Sequence, residues 1–286
     1  MMRAAVFLLF VAVVYGKPAE IKNPMVNDGL FEGDIMGIDP DQDRNAVPRD
    51  SQRWTNGVIP YEVDPSLYGI WDLLMKSIRH IEDNSCLRFV QRTNERNYIR
   101  MYKGEGCWSY WGMLGNGEQK LSLGDGCAYF GTVVHEFLHA IGFQHEQNRS
   151  DRDDYLNIHW ENIIEKWYYA FNKLLPEQHR LLTPFDYDSV MLYGEKSFSK
   201  QWNLKAMTAK DGRFLDEAYN KPGMSASDIK RLNMLKHEST HFSLLVAVVY
   251  SNPAKIRDPM INEGLFEGDI MGIDPNQDRN AVPRDS

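Results

Sequence analysis

His135, Glu136, His139, Gly142 and His145 stand at set offsets in the run GTVVHEFLHAIGFQH, residues 131–145. Val133, Val134, Phe137, Leu138 and Ile141 give this run a helix-compatible apolar face, and Thr132 is expected to cap its start. On a helix His135 and His139, four residues apart, project from one side, one turn above the other. Two imidazoles so placed can hold one Zn2+ at Zn–N distances of about 2.0–2.1 Å. Glu136, adjacent to the first ligand, is not needed on the metal; it is placed to hold a water there and take its proton. A helix continued through Gly142 would carry His145 away, but glycine accepts the left-handed conformation that ends a helix and turns the chain back. His145 then supplies a third nitrogen and leaves a fourth position open, the pattern of a catalytic rather than a structural zinc site. The H-E-x-x-H pattern alone arises by chance in roughly one or two such chains per hundred, and adding Gly142 and His145 reduces this to on the order of one in tens of thousands. A rival set with Glu161 as third ligand leaves Gly142 and His145 without a role.

The two ends of the chain match each other. Residues 12–51 and 247–286 align at an offset of 235 with 32 of 40 positions identical. At the front, Arg3 precedes the apolar run Ala4 to Val14, followed by Tyr15-Gly16 and Lys17. A charged start, a short apolar core and a small residue at the cut predict a secretory signal peptide over residues 1–16. The run is about half the ~20 residues of a membrane-spanning helix, and no later run is long enough to span. An exported protein in a compartment where disulfides persist is therefore expected. Residues 238–286, which carry the second copy, read as the opening of a second gene copy, a tandem duplication joined by readthrough or by gene prediction; the alternative is a second regulatory segment. With 32 Lys+Arg against 40 Asp+Glu, the net charge of −8 gives no footprint for nucleic acid.

The unique segment between the repeats carries further signals. Pro65-Ser66 followed by Trp71, Leu74, Ile78 and Ile81 predicts a capped amphipathic helix. Leu87-Arg88-Phe89 and Ile99-Arg100-Met101 alternate like half-buried strands.

The run from His135 to Asp153, HEFLHAIGFQHEQNRSDRD, resembles the astacin family of metzincin zinc endopeptidases. Ser189-Val190-Met191-Leu192-Tyr193-Gly194 is similar to the family's Met-turn. Arg53-Trp54, Ile59-Pro60-Tyr61, Cys107-Trp108-Ser109-Tyr110 and Cys127 also match its pattern. The resemblance covers residues 45–237 and implies an α+β catalytic domain: an N-terminal subdomain with a twisted sheet and the zinc helix, an irregular C-terminal subdomain, and a cleft between them. It implies a zinc endopeptidase holding one Zn2+, with His135, His139 and His145 as ligands and Glu136 as general base. Met191 would floor the metal, and Tyr193 would be a fifth, displaceable ligand whose phenol can bond the oxyanion. An edge strand near Ser109 to Trp111 would take protein or peptide substrates in extended form.

The resemblance also gives the repeat a meaning. Phe31-Glu32-Gly33-Asp34 resembles the family's propeptide motif, whose aspartate takes the open position on zinc. Residues 17–44 would then be a propeptide with Asp34 as the zymogen switch, and Asp269 its counterpart in the duplicate. Arg44-Asn45 would be the site of a trypsin-like activating protease. The freed amine of Asn45 would turn inward to Glu146.

Some positions depart from the family. Its domain has two disulfides; Cys107 and Cys127 would form one, but the expected partner of Cys86 is His237. Leu192 stands where many relatives carry His. Asn148-Arg149-Ser150 is a glycosylation sequon beside the ligand loop, read either as a glycan acceptor or as a structural Asn. His80, His159, His179 and His241 have no ligand spacing. The missing cysteine and the odd tail motivate one alternative, a non-catalytic, degenerate zinc-binding secreted protein.

Overall fold

The computed structural model describes residues 23–38, 52–176 and 181–234. The expected signal segment, the Arg44-Asn45 bond, His179, His237, His241 and the duplicate with Asp269 lie outside the described residues.

Among the described residues, every helix and strand but one follows Arg53, where the unique segment takes up its hydrophobic patterning. Strand β1 (Ile35–Met36) precedes it; β2 (Val58–Val63), α1 (Trp71–Asp83), β3 (Arg88–Gln91), β4 (Tyr98–Tyr102), β5 (Cys107–Tyr110), β6 (Glu118–Leu123) and α2 (Phe130–Ile141) come next. The six strands form one mixed sheet in the order β1-β5-β6-β4-β2-β3. β5 and β6 are antiparallel, with Cys107 opposite Leu123, and the other pairings are parallel. Ile59, Ile99, Met101 and Leu121 alternate inward from three neighbouring strands, as half-buried strands require. A disulfide joins Cys107 to Cys127, tying β5 to the approach of α2.

In α1, Leu74, Ile78 and Ile81 face the core, but Trp71, expected on the same apolar face, is exposed at the first turn. Each such buried aliphatic side chain is worth about 1.5–3 kcal/mol relative to exposure. The expected cap lies one residue earlier: the Asp64 carboxylate accepts from Ser66 N–H at 3.0 Å and opens a 3-10 stretch, Pro65–Ile70, that runs into α1. Thr132 does not cap α2. The helix begins at Phe130 after an extended Tyr129, which makes no side-chain cap, and Thr132 is buried in the first turn. Packing of the Phe130 ring against His80, centroids 5.3 Å apart, extends the helix past the residue chosen on local propensity.

After α2 the chain is irregular, with short 3-10 turns, a two-stranded antiparallel sheet of β7 (Leu156–Ile158) and β8 (Met207–Ala209), and a helical stretch at 226–234. Residues 23–38 run between the two parts. On one side Ile35 pairs with Ser109 in parallel, and Asn27 Nδ2 donates to Cys107 O at 2.9 Å. On the other, Tyr169 OH donates to Leu30 O at 2.9 Å and Asn23 Nδ2 reaches Ser197 Oγ at 3.3 Å. The expected substrate edge, β5, is thus covered by β1 in this structure.

Candidate metal centre

Gly142 has φ 111°, and its N–H bonds Leu138 O and His139 O, closing α2 in the left-handed conformation expected of it. The chain doubles back so that His145, three residues on, faces the two helical histidines. His145 Nε2 lies 3.3 Å from His135 Nε2 and 3.2 Å from His139 Nε2. Asp34 completes the cluster, with Oδ2 at 3.1 Å from His135 Nε2 and Oδ1 at 3.2 Å from His145 Nε2 and 3.4 Å from His139 Nε2. All four side chains are buried. Glu161 takes no part; its side chain is exposed beside His159.

Each ring is oriented from behind. His135 Nδ1–H donates to Val190 O at 2.7 Å, His139 Nδ1–H to Phe143 O at 2.9 Å, and His145 Nδ1–H to Glu32 Oε2 at 2.6 Å. Because each Nδ1 carries the proton, the three Nε2 atoms turn lone pairs toward one point. Asp34 Oδ1 and both oxygens of Glu136 are buried and accept no hydrogen bond among the described residues. Converging nitrogen lone pairs and orphaned carboxylate oxygens suit a borderline cation such as Zn2+, which takes imidazole and carboxylate ligands.

Burial and the charges inside the cluster set its protonation. Burial, the largest influence, pulls all three histidines down, and His139 falls to about 4. His145, facing both Asp34 and Glu32, ends at about 9. Burial, and then the Asp34 carboxylate, push Glu136 well above the usual carboxylate range. Burial would also raise Asp34, but His145 and His139 hold it well below.

The Met-turn closes the floor. Met191 is fully buried, and Tyr193 OH donates to Asp34 Oδ2. Sequence reasoning missed what holds this turn in place. Asp228 accepts from Ser189 Oγ at 2.7 Å and Val190 N–H at 2.9 Å, and Lys221 Nζ donates to Ser189 O and Leu192 O, both at 2.6 Å. Burial pulls the Lys221 ammonium down to about 8. The Asp228–Arg231 spacing is the only sequence signal, and it is the same as that of a surface helix ion pair.

Asn45 lies outside the described residues. Glu146 is buried between Arg149, 3.1 Å away, and Arg231, and it accepts from Asp186 N–H at 2.9 Å. Of the two readings of Asn148, the geometry supports the structural one. Its side chain is buried, and its Nδ2 donates to Ala170 O and Asn172 O at 2.9 and 2.8 Å, so the atom a glycan would need is engaged. Cys86 is exposed, and Cys107 and Cys127 are joined to each other. His80 Nε2 accepts from Met224 N–H, and His159 bonds Thr208; neither joins the cluster.

The profile of the Astacin family (Peptidase family M12A) matches residues 46–237. Astacin-like metalloprotease toxin 1 of Loxosceles intermedia is 42% identical over 221 residues, 75% of this chain and 83% of that protein. High choriolytic enzyme 1 of Oryzias latipes is 40% identical over 215 residues, 72% of this chain and 77% of that protein. The solved structure of that hatching enzyme zinc-protease superposes with a TM-score of 0.58, covering 65% of this chain and 92% of its own.

Proposed function

The chain belongs to the astacin family of zinc metalloendopeptidases, and we propose from that premise that it is secreted as an inactive precursor and activated by cleavage at Arg44. In this reading residues 1–16 are the signal peptide, 17–44 the propeptide, 45–237 the catalytic domain and 238–286 a duplicate of the leading segment. The observation that carries it is the convergence of His135, His139, His145 and Asp34 on one buried point between the two parts of the domain.

The three histidines would hold the zinc, with Met191 beneath it. Bound there, zinc would polarise the scissile carbonyl and acidify a water. Glu136, whose carboxylate is buried beside the ligands, would take that water's proton and pass it to the leaving amine. Tyr193 would turn its phenol from Asp34 to the oxyanion that develops on the carbonyl. Asp34 occupies the place both groups need, which supports the zymogen reading. Ile35 and Met36 pair in parallel with β5, and Cys107 N–H is bonded to Pro24 O at 2.8 Å, so the segment also fills the edge a substrate strand would use. Export is supported by the leading apolar run, by the Cys107–Cys127 disulfide, and by relatives named as a toxin and a hatching enzyme.

The test is casein hydrolysis by the full chain before and after limited trypsin treatment, with a zinc chelator and Glu136→Gln as controls. Activity that requires cleavage, zinc and Glu136 is expected. Zinc at one equivalent with no hydrolysis after cleavage would replace this reading with that of a degenerate zinc-binding protein.

A further inference from the structure

Glu32 stands two residues before Asp34 and reaches the centre from the other side. Its φ is 52°, in the left-handed region, which a non-glycine residue adopts only where its surroundings hold it. Gly33 follows at φ 97°, and a Cβ there would meet Met25 O at 2.9 Å, so the turn that presents both carboxylates depends on a glycine. The Glu32 side chain is buried, and its Oε2 lies 2.6 Å from His145 Nδ1.

The three ring contacts differ in kind. His135 and His139 donate to backbone carbonyls, Val190 O and Phe143 O, that belong to the catalytic domain. His145 donates to a carboxylate carried by the segment ahead of the cleavage point. An imidazole whose Nδ1–H bonds a carboxylate is held in one orientation and presents a more basic Nε2 to a metal.

We infer that Glu32 is a positioning residue for zinc: through His145 it strengthens the metal site of the uncleaved precursor, and the support is withdrawn with the propeptide. This rests on the zymogen reading above and adds a second role to the leading segment. Asp34 takes the open position, while Glu32 braces one of the three histidines from behind. The repeat preserves both residues, as Glu267 and Asp269.

The experiment is zinc release from the full-length precursor into excess chromogenic chelator, for the native chain, Glu32→Ala and Glu32→Gln, each with Asp34 intact. Removing such an outer carboxylate lowers metal affinity by about 10–100-fold, and Glu32→Ala is expected to release zinc faster by a factor in that range. Glu32→Gln keeps the size and can still accept the hydrogen bond but lacks the charge, so an intermediate rate is expected. After trypsin has removed the segment, all three proteins should release zinc at one common rate, because the altered residue is gone. Equal rates among the three precursors would overturn the inference. A Gln variant equal to the native chain would also overturn it, by reducing Glu32 to a packing role. A precursor that binds no zinc would overturn the zinc assignment together with it, so the two failures are distinguishable.

Discussion

The phenol of Tyr193 donates to the carboxylate of Asp34, joining the Met-turn to the leading segment inside the metal centre. Burial, and then the Asp34 charge, push the phenol well above its ordinary pKa, so it stays a proton donor across the working range. In the proposed cleaved enzyme, with Asp34 removed, that donor would be free to face the cleft. Tyr193→Phe is expected to lower kcat of the cleaved enzyme by about 10²–10³, with KM little changed. Steady-state kinetics check this, and an unchanged kcat would remove Tyr193 from the chemistry.

Asp228 holds Ser189, Val190 and Arg231 at once, all buried. Asp228→Ala leaves Arg231 with Glu146 alone among its carboxylate partners and strips Ser189 Oγ, Val190 N–H and Ser225 N–H of this acceptor. Breaking a buried charge pair from one side costs about 3–5 kcal/mol. Denaturant unfolding of the zinc-loaded precursor should show a midpoint lowered accordingly. A loss below about 1 kcal/mol would mean that the Met-turn does not depend on this residue.

His80 ties α1 to the C-terminal part by accepting Met224 N–H at 3.0 Å, a bond only the neutral ring can make. Burial is the main cause that pulls His80 below its ordinary 6.5; Lys76 adds to this and Asp83 opposes it. The folded protein therefore binds this proton less readily than the unfolded chain. Its contribution is present above pH 6.5 and is lost as the pH falls from 6.5 through the depressed folded value. Unfolding free energy measured between pH 5 and 7.5 should fall more steeply for the native chain than for His80→Asn. Parallel curves would contradict the assignment.

Asn23 Nδ2 donates to Ser197 Oγ at 3.3 Å and to Glu217 Oε2 at 3.4 Å. Glu217 is itself half-buried, and desolvation raises its pKa. At the matching place in the duplicate stands Asp258, which would set a second carboxylate against Glu217. A peptide with the sequence of residues 23–38 should therefore inhibit the cleaved enzyme more strongly than one with the sequence of 258–273. A difference of about tenfold corresponds to about 1.4 kcal/mol. Equal inhibition would mean that the tail segment can serve the cleft as well as the leading one.

The zinc motif was legible because its logic is local. A four-residue spacing on a helix and a glycine able to take positive φ decide where His135, His139 and His145 point before any distant contact forms. The Phe31–Asp34 motif and the Cys107–Cys127 pair came from the family resemblance, and the structure brings both into place. Tertiary structure decided whatever depends on what lies across the interface. It selected Tyr129 rather than Thr132 as the residue before α2, because Phe130 found His80. It engaged Asn148 inside the fold, since a buried amide must bond to the backbone carbonyls that reach it. It gave His135 and His145 partners from far along the chain, Val190, 55 residues away, and Glu32, 113 residues away, while His139 found its own four residues on, at Phe143. Such partners follow from which buried polar groups come to face one another, and residue spacing along the chain carries no record of that.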